Sequence, residues 1–144
     1  MPHHPLDTIE VLIISWILGG ESDLDRIPTS HGILDRALQS AVSRGAFPSW
    51  VREELNFVDS RIGLQCVELP SLLNWAQRAQ LTTAPNPTYH STQVQISRNA
   101  ALRILSELNI AKEDAKKWGT ILREAADSER ESMSDYPDSA IEEY

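Results

Sequence analysis

Four histidines, one cysteine, the adjacent glutamates Glu53 and Glu54 and one glycine pair are the residues here whose types and spacing could do chemistry. His3, His4, His31 and His90 form no H-E-x-x-H or comparable local ligand set. If Met1 is removed, Pro2-His3-His4 becomes an amino-terminal tripeptide able to hold Cu or Ni in a square plane, which reads as adventitious chemistry of a terminus. Cys66 lies beside Val67 in an apolar, strand-like stretch, whereas a thiolate nucleophile needs a neighbouring base and an electropositive pocket. A core cysteine is the expectation. Glu53 and Glu54 are neighbours on a short helix and point in different directions. Gly19-Gly20 is not followed by the G-K-[ST] of a phosphate loop. The sequence thus offers no catalytic residue, no metal ligand set and no cofactor site, and it does not read as an enzyme.

The bulk numbers narrow the field further. A chain of 144 residues, 41% hydrophobic, corresponds to about one domain and can build a core without disulfide staples. A single cysteine excludes an intramolecular disulfide framework and fits a reducing compartment. The longest apolar run, Val11 to Leu18, is broken by Ser15 and falls far short of the roughly 20 residues that span a bilayer. No Lys or Arg precedes Arg26, so a signal peptide's basic start is missing. A cytoplasmic location with no membrane partner is expected. The net charge is −8, but residues 127–144 hold seven acids and one base, leaving only −2 on the rest. The acidity therefore describes an appendage and argues little about the body.

Stepping along the chain, hydrophobic period and caps predict mostly helices. Asp7 and Glu10 have capping-box spacing, Leu6, Ile9, Ile13, Trp16 and Ile17 follow at helical spacing, and Gly19-Gly20 stops the run. Its richness in Ile and Val leaves a buried strand as the alternative. After a polar link, Thr29 or Ser30 supplies a cap for a second helix with the stripe Ile33, Leu34, Ala37, Leu38, Ala41 and Val42, closed by Gly45. Ser49 caps a short third helix to Leu55. Residues 57–69 change character, with β-branched and apolar residues around Asp59-Ser60 and Gly63 and turn chemistry at Asp59-Ser60, which predicts one or two short strands. Pro70 opens a fourth helix carrying Leu72, Leu73, Ala76 and Ala79. A linker over 82–92 leads to Gln93–Ile96, which alternates like a brief strand. Ser97 caps a fifth helix to Leu108, and a joint at Asn109–Lys112 leads to a sixth with Ala115, Trp118, Ile121, Leu122 and Ala125 inward. The expected architecture is a mostly α, compact domain of about six helices over residues 1–126, with a small β-hairpin element. Beyond Ala126 the apolar period ends, so residues 127–144 are expected to be a disordered acidic tail.

Two segments resemble DNA-reading arrangements. Ala101 to Thr120 is similar to the helix-turn-helix motif of bacterial regulators, with Ile104, Leu108, Ile110, Ala115 and Trp118 at its apolar places. Leu105 departs from the small residue the motif prefers, and Asn109 replaces its turn glycine. That resemblance implies that Lys112, Lys116 and Lys117 face DNA; the competing reading is an ordinary helical hairpin packed into the core. The order of elements over residues 8–80 resembles winged-helix regulators, which would put Ser30 to Arg44 at the recognition helix, with Arg36, Gln39 and Arg44 outward, and Val58 to Leu69 near the wing. Bases are few, however, and phosphate contacts need several. Trp50 and Trp75 lie off the best stripes of their helices and are candidate interface anchors, as are Tyr136 and Tyr144 among the tail acids. The leading expectation is a non-enzymatic binding or adaptor module, an accessory or regulatory protein of bacterial type whose partner is another protein. A DNA-binding regulator is the alternative, and a homodimer fits either.

Overall fold

The computed structural model describes residues 4–20, 26–28, 32–61, 63–83 and 91–134. Six helices and two small antiparallel sheets follow in the order α1 (Pro5–Leu18), β1 (Arg26–Pro28), α2 (Ile33–Ser43), α3 (Ser49–Glu54), β2 (Phe57–Ser60), β3 (Gly63–Cys66), α4 (Leu69–Arg78), β4 (Ser91–Gln93), α5 (Arg98–Glu107) and α6 (Lys112–Ser134). The mostly helical expectation holds, and the hairpin expected within 57–69 is present as β2 and β3, with Asp59 and Ser60 in the strand and not in the turn.

The first helix is the hub. From Val11 to Leu18 every residue is buried, because α4, α5 and α6 all pack on α1. A helix apolar on all sides has to be enclosed in this way, which settles helix over buried strand. The hydroxyls of Thr8 and Ser15 and the indole N–H of Trp16 are buried there without a hydrogen-bond partner among the described residues. The start of α1 differs from the sequence expectation. His4, not Asp7, is the cap: its Nδ1 accepts from the Leu6 N–H at 3.0 Å, and Asp7 Oδ2 accepts from the His4 N–H at 3.2 Å. Pro5 at the first helical position explains the shift, since it lacks an N–H and is pre-set for a helix start.

Other boundaries move for similar reasons. α2 begins after Gly32 in the left-handed region with no side-chain cap, while Thr29 and Ser30 lie outside the described residues. Ser49 is the first residue of α3 and not its cap. Ser97, by contrast, caps α5 as expected, its Oγ accepting from the Ala100 N–H at 3.2 Å. β1 was not expected at all. It pairs with β4 in the register Arg26↔Gln93, Ile27↔Thr92 and Pro28↔Ser91, and Val94 bridges on to Thr82. α6 continues past Ala126 to Ser134, so the first eight residues of the expected tail are helical and residues 135–144 lie outside the described residues.

Three helices end in one hydrogen-bond pattern. The N–H of Ala46, Leu81 and Ile110 bonds back to the carbonyl of Ala41, Ala76 and Leu105 at 3.0, 2.9 and 3.0 Å. The residue before each takes a positive φ: Gly45 at 82°, Gln80 at 63° and Asn109 at 58°. This is the Schellman closure, and it brings an apolar residue after the helix onto its last turn. Glycine and asparagine tolerate the conformation; glutamine carries the Cβ clash that disfavours it. Gln80→Gly is therefore expected to raise stability by about 0.5–1 kcal/mol despite glycine's greater freedom when unfolded. Urea unfolding of Gln80→Gly beside Gln80→Ala checks this; a glycine variant no more stable than the alanine one contradicts it.

Candidate functional site

Cys66 is buried on β3, where its N–H donates to Asp35 Oδ2 at 2.8 Å and its Sγ lies 3.9 Å from Glu68 Oε1. Burial, reinforced by the charges of Glu68 and Asp35, pushes the thiol up to about 12. At neutral pH it stays protonated and is a poor nucleophile. His4 is a helix cap, and His3, His31 and His90 lie outside the described residues. Among the described residues no three His, Cys, Asp or Glu side chains converge on a metal position. An apolar cavity of about 20 Å³ lies between α1, α2, α4 and α6, lined by Leu12, Trp16, Leu34 and Leu122 among others. That is near the size of one water and far below the hundreds of Å³ of a ligand pocket.

Glu10 carries a perturbed carboxyl. Its half-buried position on α1 raises it above its ordinary value of 4.5, helped by the charges of Asp7 and Glu107. A raised carboxyl favours the fold when protonated, so this contribution is full below 4.5 and is lost as pH rises through the folded value. Glu10→Gln is expected to be more stable than the parent at neutral pH, with the difference shrinking as pH falls to about 4. Denaturant midpoints at both pH values check it; a difference independent of pH contradicts it.

Of the bases expected at a DNA-facing surface, Arg36 is the one that stands mostly covered. α6 packs along α2, and Arg36 Nε donates to Glu129 Oε2 at 2.7 Å with both side chains mostly covered. Arg44 lies 4.0 Å from Glu124, and Gln39 is exposed. The continuation of α6 beyond Ala126 is the cause, since it carries the acid to the face where Arg36 would have stood in water. Lys112, Lys116 and Lys117 are exposed on the first turns of α6, interleaved with exposed Glu113 and Asp114. α5 and α6 each rest on α1 more than on each other, with Leu105 and Ala115 buried. The joint between them is that of a helical pair docked on a third helix.

The tryptophans also sort themselves. Trp75 is half-buried, with His4 edge-on at 4.6 Å and the Arg78 guanidinium 5.2 Å from its ring centre, so its own chain covers it on two sides. Trp50 is half-buried against the core, Trp118 meets Phe47 at 6.1 Å, and Trp16 is buried under Arg123. Tyr136 and Tyr144 lie outside the described residues.

Another exposed surface is the β2–β3 hairpin, which the winged-helix resemblance put near a wing and whose valines sequence reasoning did not single out. The register pairs Phe57 with Cys66, Val58 with Gln65, Asp59 with Leu64 and Ser60 with Gly63. Side chains alternate between faces of a strand, so Cys66 and Phe57 point to the core while Val58 and Val67 point outward. These two valines are 46% and 55% exposed, the large hydrophobic side chains left in water among the described residues. The neck is clamped: Asn56 donates from its N–H and its Nδ2 to the two oxygens of Glu68, both at 2.7 Å, and Val67 N–H donates to Asn56 O at 2.8 Å. Ser60 Oγ donates to Gly63 O at 2.8 Å and ties the tip.

The two edges of the hairpin are unlike. In an antiparallel pair, N–H groups at alternate residues point away from the partner strand. The Val67–Asn56 bond sets that phase, which turns Phe57 and Asp59 outward on β2, and Cys66 and Leu64 outward on β3. On β3 the outward Cys66 N–H is taken by Asp35 of α2. On β2 the outward backbone groups of Phe57 and Asp59 have no partner among the described residues. The parity of Val58 and Val67 against Phe57 and Cys66 was readable in the sequence; which edge stays open was not. Set against protein-family models, curated proteins and solved structures, the chain matches none.

Proposed function

We propose that this protein is a non-enzymatic binding module that recognises another protein through the outward face of the β2–β3 hairpin. The observation that supports this most is the exposure of Val58 and Val67 on the same face of a small hairpin whose other face turns Phe57 and Cys66 to the core. Hiding both from water is worth about 2 kcal/mol, a useful share of a modest interface. The hairpin is held at its neck and tip, so little ordering cost remains to be met on binding. A photo-crosslinking residue at position 58 of the full chain, in its native cells, is expected to give a discrete adduct that Val67→Asp abolishes. The same residue at exposed Gln77 of α4 is the control. Equal labelling at both positions, or none at 58, overturns the reading.

A DNA-binding regulator is the second reading, and the exposed Lys112, Lys116 and Lys117 support it. Arg36 and Arg44 would contribute only when freed from Glu129 and Glu124. Duplex binding at about 50 and 200 mM salt, with Glu129→Gln beside the parent, tests it. Salt-sensitive binding that strengthens in the variant favours this reading; no binding by either protein removes it.

A further inference from the structure

We infer that the partner presents an extended, basic segment that adds to the open edge of β2 as a third strand; this rests on the protein-binding reading above. Three observations converge. First, the outward N–H and C=O groups of Phe57 and Asp59 form a row with no partner among the described residues, while the equivalent edge of β3 is closed by Asp35. An unpaired edge templates a further strand through main-chain bonds, the mode of β-strand addition. β2 has none of the devices that blunt such edges by removing donors or twisting the strand: no proline, no lysine and no bulge interrupts Phe57–Ser60.

Second, the approach is acidic. Asp59 is exposed on the strand itself, and exposed Glu53 and Glu54 close the helix that leads into it, with Arg61 and the half-buried Arg52 the opposing charges near them in the chain. Two copies of β2 brought edge to edge would each bring Asp59 and no compensating base on the strand, whereas opposite charges on neighbouring strands attract. A second copy of this chain is thus disfavoured, and a segment bearing Lys or Arg is favoured. Third, Val58 and Val67 continue the outer face, so a β-branched side chain on the added strand packs beside Val58. Successive residues of that strand point to opposite faces, which puts its basic side chains on the face of Asp59. The recognised chemistry is an alternating β-branched and basic sequence in extended form.

The test uses the full chain and three fluorescent heptapeptides: alternating Lys/Val, alternating Glu/Val, and alternating Lys/Gly, which keeps the charge without the strand-forming side chains. Anisotropy is expected to show binding of the Lys/Val peptide only. Asp59→Asn removes the charge and keeps the outward N–H, whereas Asp59→Pro removes both without touching a ladder bond, since proline is tolerated at such an edge position. Asp59→Pro is expected to bind at least about tenfold more weakly than Asp59→Asn, the loss of one main-chain donor. In the unsubstituted protein, hydrogen exchange at the Phe57 and Asp59 amides is expected to slow by about tenfold or more with peptide present, a readout independent of variant folding. Equal affinities for the two variants, equal binding of the Lys/Gly peptide, or unprotected amides overturn strand addition. If these fail while the position-58 adduct persists, the module reading stands and the edge proposal falls; if the adduct is also lost, both fall.

Discussion

Gly119→Ala is expected to lower the stability of this protein by about 3 kcal/mol and its melting temperature by about 10 °C. The expectation comes from the closest approach in the fold. A Cβ built on Gly119 falls 1.6 Å from the Ser15 carbonyl oxygen and 2.9 Å from the Gly19 nitrogen, and one on Gly19 falls 2.4 Å from the Gly119 carbonyl carbon. α1 and α6 touch backbone to backbone, so the obstacle is main chain and cannot turn aside. That approach also lets Arg123, one turn along α6, donate from Nε to the Trp16 carbonyl at 2.7 Å and stack 4.5 Å from the Trp16 ring centre. Together with Arg98, which donates to the Gly20 carbonyl, it places positive charge at the end of α1, where the helix dipole favours it. Overpacking of this kind costs about 1–3 kcal/mol, and losing a charge-assisted hydrogen bond about as much. Alanine's better helix propensity returns only about 1 kcal/mol. Thermal and urea unfolding followed by circular dichroism measure the outcome. A Gly119→Ala protein within 1 kcal/mol of the parent would falsify the close-approach account.

Phe47 carries the second large effect, and it has two opposing parts. Its ring is 2% exposed and meets Trp118 edge-on, so Phe47→Ala is expected to cost about 4 kcal/mol. Yet its φ is 70°, a conformation disfavoured for any residue with a Cβ. Arg52 holds the loop there by donating to the carbonyls of Gly45 and Phe47 at 3.2 and 3.1 Å. Phe47→Gly loses the same ring but sheds the backbone penalty, so it is expected to be about 1 kcal/mol more stable than Phe47→Ala. On an ordinary loop or helix the order is the reverse. Both variants are expected to shift tryptophan emission to the red as Trp118 is uncovered. Denaturation curves that rank alanine above glycine would remove the strain argument and leave only the cavity.

How much of this was legible beforehand depends on range along the chain. Features decided within one or two turns were readable. Ser97 caps α5, Asn109 takes the left-handed turn at 58°, and Gly45 closes α2. Each follows from the bonding or steric preference of one residue and its near neighbours. His4 was missed because an imidazole is an unusual cap, although Pro5 beside it marked the helix start.

What the tertiary structure alone decided involves partners far apart in sequence. β1 is three residues long, too short to show an alternation, and exists because β4 lies beside it. Gly119 looks in sequence like a helix-weakening residue; only the crossing with Gly19 shows why a side chain has no room there. Arg36 reads as a solvent-facing base until α6 brings Glu129 within 2.7 Å. β2 and β3 look equally exposed in sequence, and it is Asp35 from α2 that closes one edge and leaves the other. Composition and period determined the helices, the turns and the charge of the carboxyl-terminal end, because those follow from interactions between near neighbours. Which groups stay open to a partner was decided by packing, because a backbone N–H or a charged side chain is available only if no distant part of the chain has already taken it.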